Sequence, residues 1–252
     1  MRCVDLTATM SIHSPGWVGY PSPKLWYWQN HHTNGIVSQM IETPLHIGTH
    51  MDSEMHGVSG GKDITGIPLD RLVHEGVIVD LEEEAGYDFG VYTHEMIEKK
   101  VEVKEGDVLI IHTGWHRHYA GGSEEDVIKY FLKHPGPNNA FAEWAVAKKL
   151  AWIGVDCGSA DHSLNTSIRY KRPDMVVEFE KKSGKKLNDV LPEETLFCMH
   201  HDPFRNGIVH VENVGGDIEQ VLNTRCILGA FPWKFTGAEA GICRVVAFFD
   251  CK

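Results

Sequence analysis

Six short apolar runs along the chain predict the strands of a sheet. They are Val77–Leu81, Val108–His112, Ala151–Asp156, Ile208–Glu212, Cys226–Phe231 and Val245–Phe248. Each run has four to six residues and is rich in β-branched or other large apolar side chains. This length and composition are typical of strands that are buried on at least one face.

Three predicted helices lie between these strands. Thr93–Lys100 begins at a threonine that can cap it, and Ser123–Lys133 begins with a serine followed by acidic residues that suit the positive end of a helix dipole. Ala140–Leu150 is rich in alanine and ends in two lysines before a strand. Strands and helices alternate, although the first sixty residues are strand- and loop-rich, so the pattern predicts an α/β or α+β fold with a mixed sheet.

The pattern also predicts one domain over residues 1–252. The segment 170–194 is charged and contains Pro173, Gly184 and Pro192 between two predicted core strands. We therefore expect it to be a surface insertion, and not a linker between two domains.

The composition is that of an ordinary globular protein and excludes some partners. Hydrophobic residues make up 42% and charged residues 23% of 252 residues, so the chain can bury a full core without a metal or disulfides. The net charge is −11 and no lysine- or arginine-rich block occurs. Nucleic acids and anionic membrane surfaces are therefore not expected partners.

The apolar runs and the cysteines also bear on location. No apolar segment approaches the ~20 residues needed to span a bilayer, and the N-terminus lacks the apolar run of a secretory signal. The cysteines are scattered and form no CxxC pair, so we expect reduced thiols, packed as small apolar side chains, in a cytoplasmic protein. They are Cys3, Cys157, Cys198, Cys226, Cys243 and Cys251.

The stretch HIGTHMDSEMH at residues 46–56 is the strongest candidate for chemistry. His46, Gly48, His50 and Asp52 are all even-numbered, and Pro44 disfavours a helix at the entrance. In an extended segment these side chains share one face, with Gly48 leaving a bare spot, while Ile47 and Met51 face the core. Imidazole and carboxylate groups that converge in this way are typical ligands of a divalent ion. Hydrogen-bonded histidines at a strand edge are the alternative.

Two further polar clusters lie beside predicted strands. HHDPFRNGIVHVEN at 200–213 contains His200 and Glu212, which can reach the same ion if the intervening loop reverses the chain. DCGSADH at 156–162, which includes Ser159, follows the C-terminal end of a strand, a common address for active sites. Each cluster alone is also compatible with a turn capped by Asx or serine side chains.

Together these motifs resemble those of the cyclase-family metal-dependent hydrolases, the group that includes bacterial kynurenine formamidase and isatin hydrolase. HIGTHMD matches the HxGTHxD motif of that family. The resemblance extends over most of the chain, through DLT at 5–7, GDVLIIHTGW at 106–115, IGVDCGSAD at 153–161 and NGIVHVENVGG at 206–216. It implies a swivelling β/β/α fold that assembles as a homodimer or homotetramer.

The resemblance also implies roles for single residues. His46, His50 and Asp52 match the first metal triad, and Asp52 bridges to a second ion in some members. The resemblance places His200 and Glu212 at that second ion, since His200 fits the family spacing better than His201. The ions implied are Mn²⁺ or Zn²⁺, one or two per chain.

The resemblance further assigns catalysis to His56, which matches the histidine that acts as general acid/base. The chain departs from the family at Glu54, which stands where proline is usual. We expect Glu54 to add a carboxylate close to the metal.

These observations predict a metal-dependent hydrolase that cleaves a C–N bond in a linear or cyclic amide. The substrate is a small molecule, and the aromatic run around Trp28 suits an aromatic or cyclic one, although packing alone can also explain such a run. Candidate substrate-binding residues are Trp28, His32 and Ser159. A metal-dependent lyase, isomerase or cyclase, and a metal-binding protein without turnover, are the alternatives.

Overall fold

The structure is a computed structural model that describes residues 2–249. Its strands, β1 to β12 in chain order, are Arg2–Asp5, Lys24–Gln29, Ser38–Glu42, His50–Asp52, Val73–Asp80, Val91–Tyr92, Val108–His112, Gly136–Pro137, Trp152–Val155, Val209–Glu212, Thr224–Pro232 and Ala240–Phe249. Its helices, α1 to α11, are His31–Asn34, Glu54–Gly57, Leu69–Leu72, Glu82–Ala85, His94–Glu98, Val127–Leu132, Asn139–Ala147, Ile168–Lys171, Pro173–Ser183, Leu187–Val190 and Cys198–Arg205.

Eight strands form one mixed sheet, which confirms the predicted α/β architecture. The strand order is β1-β12-β11-β5-β7-β9-β10-β4, and β4 also pairs with β12. The strands β5, β7, β9 and β10 are parallel neighbours, whereas β4 is antiparallel to both β10 and β12. The sheet therefore closes into a barrel-like core, and the strand that closes it carries His50 and Asp52.

Alternation along the central strands divides the core into two layers. Ile78, Ile110 and Trp152 belong to a buried cluster that also includes side chains of β10 and β12. Their neighbours Val79 and Ile111 pack into a second cluster with aromatic side chains of α6 and α7. Strands buried on both faces are typical of parallel sheets, which explains why these runs are almost continuously apolar.

The predicted helix Ser123–Lys133 is shorter in the structure, where it corresponds to α6. Helix α6 begins at Val127, with Asp126 as the cap that accepts a hydrogen bond from the Lys129 N–H at 2.9 Å. Residues 123–126 are not helical because Glu124 and Asp126 donate their N–H groups to carbonyls of Arg117 and His118. Tertiary hydrogen bonds thus replace the predicted first turn.

The segment 170–194 is helical and contributes to a core cluster. Met175 and Phe179 of α9 are buried, as is Leu187 of α10. They pack with Phe89 and Leu164, which lie outside the segment. The polar residues between them account for the charged appearance of the sequence.

Among residues 2–249, no helix is long and apolar enough to cross a bilayer. Cys3, Cys157, Cys198 and Cys243 are free thiols. Cys251 lies outside the described residues.

A buried histidine beside this core gives the fold a pH dependence. Burial lowers the pKa of His134 to about 4, from an ordinary value of 6.5. The unfolded chain therefore binds a proton at this histidine below pH 6.5, whereas the folded chain binds it only below about pH 4. The free energy of unfolding therefore falls as the pH falls from 6.5 to 4, by about 3 kcal/mol in total.

We expect the His134→Gln protein to lose less stability between pH 6.5 and 4 than the wild type. Urea denaturation of chelator-treated protein at several pH values measures this. The exposed His13 supplies a control, His13→Gln, which should retain the wild-type slope. Equal slopes for wild type and His134→Gln would refute the assignment.

Candidate active site

Three ligand atoms converge at the strand that closes the barrel. His46 Nδ1 lies 3.2 Å from His50 Nε2 and 3.1 Å from Asp52 Oδ1, and His50 Nε2 lies 3.5 Å from Asp52 Oδ1. Asp52 is completely buried, and its Oδ1 has no hydrogen-bond partner within residues 2–249. Buried carboxylate oxygens are almost always paired, so an oxygen of this kind among imidazole nitrogens fits a bound cation.

The backbone brings these groups together differently from the predicted extended segment. Only His50–Asp52 is a strand, and Gly48 has a left-handed φ of 55°. A side chain at Gly48 would face Met10 and not the ligand atoms. Glycine therefore serves the turn, whereas Ile47 and Met51 are buried as expected.

Hydrogen bonds orient both imidazoles of this triad. His46 Nε2 lies 2.7 Å from Glu239 Oε2, and His50 Nδ1 lies 2.9 Å from the carbonyl of Gly48. With these nitrogens donating their protons, His46 Nδ1 and His50 Nε2 present lone pairs to the Asp52 carboxylate. Outer carboxylate or carbonyl partners of this kind are usual behind metal-binding histidines.

The second oxygen of Asp52 faces another group of potential ligands. One atom each from Asp52, His200, His210 and Glu212 lie within 4.8 Å of one another. His210 Nε2 is 3.0 Å and His200 Nε2 is 3.8 Å from Asp52 Oδ2. The His200 Nδ1 is only 2.6 Å from Asp161, which leaves Nε2 free to bind. Asp52 can therefore bridge two cation positions.

Sequence reasoning missed two residues of this site. His210 alternates with Glu212 on β10, the same even-numbered pattern that marks His50 and Asp52 on β4. That signal was available. Glu239 precedes β12 and reaches His46 only because β12 pairs with β4, so no local pattern marks it.

The electrostatics of the site favour a cation. Burial alone would lower the pKa of His46, but Asp52 and Glu239 raise it to about 11. Burial and the Asp52 charge would raise the pKa of Glu212, but the imidazoles of His50 and His210 hold it at about 2. Ionised carboxylates in a buried site attract a divalent ion, which would replace the protons that these histidines otherwise bind.

His56 lies at the edge of the same cluster, in helix α2 directly after β4. Its Nδ1 is 3.3 Å from Glu239 Oε2, and its ring centroid is 4.2 Å from that of His46. The side chain is 29% exposed, so Nε2 can face a substrate. Glu54, in contrast, points toward Lys62, whose backbone N–H it accepts at 3.4 Å, and not toward the ligand atoms as expected.

A small cleft of about 170 Å³ opens onto these groups. It is lined by Trp17, Tyr20, His46, His56, Ser159, Phe197, His200 and Glu212. The Tyr20 ring stacks on His46 with an interplanar angle of 11°. Of the candidate substrate residues, Ser159 lies in this cleft, whereas Trp28 and His32 are exposed in and beside the hairpin of β2 and β3.

Glu239 contacts both His46 and His56, so its replacement tests whether it holds the two rings in their observed orientation. We expect Glu239→Gln to weaken metal binding about 10- to 100-fold, since outer-shell partners contribute about this much. Glu239 is 38% exposed, so the fold should survive. Metal titration against a chelator measures the affinity, with the exposed Glu105→Gln as control. An unchanged affinity would show that Glu239 does not support the triad.

Comparisons with solved structures show the fold of the chain. An isatin hydrolase A from Labrenzia aggregata bound to benzyl benzoate is 18% identical, with a TM-score of 0.77 over 98% of this chain and 93% of that chain. An isatin hydrolase bound to thioisatinate is 18% identical, with a TM-score of 0.74 over 97% and 91%. A predicted metal-dependent hydrolase from Bacillus stearothermophilus is 20% identical, with a TM-score of 0.66 over 98% and 97%.

A sequence-family comparison is more specific. No curated protein matches the chain significantly. The family model described as "Putative cyclase" matches residues 4–162, which is more than half of the chain. The matched part includes His46, His50, Asp52 and His56, and it ends before His200. The chain therefore belongs to the putative cyclase family.

Proposed function

We propose that this protein is a metal-dependent hydrolase that cleaves the C–N bond of a linear or cyclic amide. The observation that carries the proposal is the convergence of two oriented imidazole nitrogens on the unpaired, buried Oδ1 of Asp52. The folds of the isatin hydrolases, which this chain resembles in structure, support the same class of reaction.

A divalent ion, Mn²⁺ or Zn²⁺, would be held by His46, His50 and Asp52. A second ion would share Asp52 with His200, His210 and Glu212. Nitrogen and oxygen donors suit both metals. Such an ion supplies Lewis acidity, which polarises a substrate carbonyl and makes water a nucleophile near neutral pH.

His56 is the proposed general acid/base. With its Nδ1 proton directed to Glu239, its Nε2 can accept the proton that the attacking water loses. The protonated ring then donates this proton to the leaving nitrogen, so the C–N bond breaks without releasing an amide anion. The Glu239 carboxylate stabilises the imidazolium between these steps.

The cleft favours a small, flat substrate. Trp17, Tyr20 and Phe197 supply aromatic walls, and the Ser159 hydroxyl offers a polar contact beside the ligand atoms. An aromatic or cyclic amide matches these walls, because stacked rings bury apolar surface at the same time as the carbonyl faces the metal ligands.

The experiment combines metal analysis with a substrate screen. Purified protein is supplied with Mn²⁺ or Zn²⁺ and assayed against N-formylkynurenine, isatin and other cyclic amides. Hydrolysis makes the summed mass of the products one water heavier than the substrate, whereas a lyase or isomerase reaction leaves that sum unchanged, so mass spectrometry of all products separates the proposed activity from the alternatives. Tight metal binding with no turnover of any amide would favour a metal-binding protein.

The hairpin of β2 and β3 supports a homo-oligomer, which we propose as the assembly. It exposes Leu25, Trp26, Tyr27, Trp28, Ile36, Val37, Met40 and Ile41. A contiguous apolar surface of this kind usually marks a protein interface. Trp28 and His32 do not line the cleft of their own chain, so we propose that the hairpin reaches the cleft of a second copy.

We expect replacement of two directly paired hairpin residues, Trp26→Lys with Met40→Lys, to convert the assembly to monomers. Like charges on neighbouring strands would face an apolar partner surface and have to be desolvated. Light scattering measures the mass. A surface control is Val177→Lys, which is 67% exposed on α9 and should not change the mass. A monomeric wild type would contradict the proposed assembly.

A further inference from the structure

A second group of histidines and carboxylates lies at the carboxyl ends of parallel strands outside the cleft. His112 is the last residue of β7, Asp156 follows β9, and His116 lies in the short turn 115–118. One potential ligand atom from each of the three lies within 4.8 Å of the other two. None of the three belongs to the cleft, so the proposed hydrolase mechanism leaves this group unexplained.

His112 is oriented in the way that a metal-binding imidazole is. It is completely buried, and its Nδ1 lies 2.9 Å from Asp80 Oδ1. With the Nδ1 proton donated to Asp80, the Nε2 atom carries a lone pair. That Nε2 is buried without a hydrogen-bond partner among the described residues. A carboxylate behind one imidazole nitrogen and an unpaired second nitrogen repeat the arrangement of Glu239 and His46.

His116 presents a second unpaired nitrogen to the same position. Its Nε2 lies 3.8 Å from Glu219 Oε1, and its buried Nδ1 makes no hydrogen bond with the part of the chain that the structure describes. That Nδ1 is 3.5 Å from Asp156 Oδ2, and the ring centroids of His112 and His116 are 5.3 Å apart. Two imidazole nitrogens without hydrogen-bond partners in the described part of the chain and one carboxylate therefore face one another in a small volume.

Asp156 is held rigidly in this position. Its Oδ2 accepts hydrogen bonds from the backbone N–H groups of Thr113 and Trp115, and its Oδ1 accepts one from the Thr113 hydroxyl. These bonds keep the carboxylate ionised and against the two rings. They also occupy much of its acceptor capacity, so the histidines must supply the stronger bonds to any ion.

The surrounding charge favours a cation. Four carboxylates, those of Asp80, Glu82, Asp156 and Glu219, lie beside the two histidines. The single guanidinium among them, Arg117, is already paired with Glu82 and Glu219. Lys100, which is paired with Glu84, is a second cation close enough to act on Asp80, so the four carboxylates still outnumber the protein cations beside them.

The group borders solvent through His116. His116 and Arg117 line an open cavity of about 710 Å³, together with Gly215, which lies next to His116, and Gly216. An ion can enter through this cavity, and water molecules in it can complete the coordination that the protein leaves open.

We propose that His112, His116 and Asp156 bind a divalent transition-metal ion of the Zn²⁺ type, separately from the cleft. Imidazole nitrogen suits Zn²⁺ and Co²⁺, whereas Mg²⁺ and Ca²⁺ prefer sites made of oxygen alone. Bound there, the ion links the ends of β7 and β9 with the turn 115–118. The site therefore stabilises the barrel and takes no part in turnover.

The test is a titration with Co²⁺ and Zn²⁺ in a protein whose cleft carries Asp52→Asn. We expect this background to bind one ion per chain, and to lose at least about tenfold in affinity when His116→Gln or His112→Gln is added. His116 is partly exposed, so its variant remains informative if the buried His112 variant fails to fold. His13→Gln, which alters an exposed histidine of the same cavity, is the control and should bind as the background does.

The outcomes separate this site from the cleft. The absorption bands of bound Co²⁺ should be lost with His116→Gln, and the gain in melting temperature that Zn²⁺ causes should disappear with them. Binding that is the same in the background and in both histidine variants would overturn the proposal, as would a background that binds no ion. Either result would leave the metal content and activity of the wild-type cleft to be judged independently.

Discussion

Asp52→Asn is expected to abolish metal binding at the cleft and to reduce amide hydrolysis more than 100-fold. Asp52 faces both ligand groups, with Oδ1 toward His46 and His50 and Oδ2 toward His210. Loss of an outer-shell partner alone costs about 10- to 100-fold, so loss of a shared ligand should cost more. The amide retains the shape of the carboxylate but removes its charge.

Metal content after gel filtration and the turnover number measure this effect. The matched control is Asp202→Asn, which alters an exposed carboxylate on α11, the helix that also carries His200. This variant should keep both the metal and the activity. His46 lies outside the strands of the sheet, so His46→Ala provides a second test if the Asp52 variant is unstable. If both variants keep the full metal content and the activity of the wild type, the cleft is not the metal centre.

His56→Ala is expected to give the second largest effect, but of a different kind. The protein should keep its metal and lose about 10²- to 10⁴-fold in turnover, which is the usual contribution of general acid–base catalysis. The reason is that His56 contacts Glu239 at the edge of the site and is partly exposed, whereas the ligand histidines are buried.

Parallel measurements of metal content and kcat distinguish the two roles. His201→Ala is the control, because His201 lies close by and its Nδ1 contacts the carbonyl of Gly57 at 3.2 Å and not a proposed ligand atom. His46, Asp52 and His56 also form a group whose atoms lie within 4.8 Å. Loss of metal from His56→Ala protein would therefore identify His56 as a ligand and contradict its assignment as the acid/base.

The parts of the fold that follow from local pattern were predictable. Each of the six predicted strands exists, because burial on both faces imposes apolar runs that a single sequence displays. The closure of the barrel was not predictable in the same way. It depends on β4, a strand of three residues that pairs with both β10 and β12, and nothing in those three residues specifies two partners.

The same difference between local pattern and long-range strand pairing applies to the candidate site. The even-numbered spacing indicated that His50 and Asp52 share a face, and the same rule applied to β10 would have found His210. Glu239 could not be found, because its contact with His46 spans 193 positions and follows from strand pairing. Glu54 was misplaced because an acid at the first position of a helix is stabilised there without any ligand.

The most direct test of the account is the position of the metal in crystals grown with Mn²⁺ or Zn²⁺ and measured at the absorption edge of that metal. If His46, His50 and Asp52 hold the metal, an anomalous difference peak lies between His46 Nδ1, His50 Nε2 and Asp52 Oδ1, and it disappears in Asp52→Asn crystals. A fully metal-loaded, active protein with no peak at those three atoms would contradict this assignment.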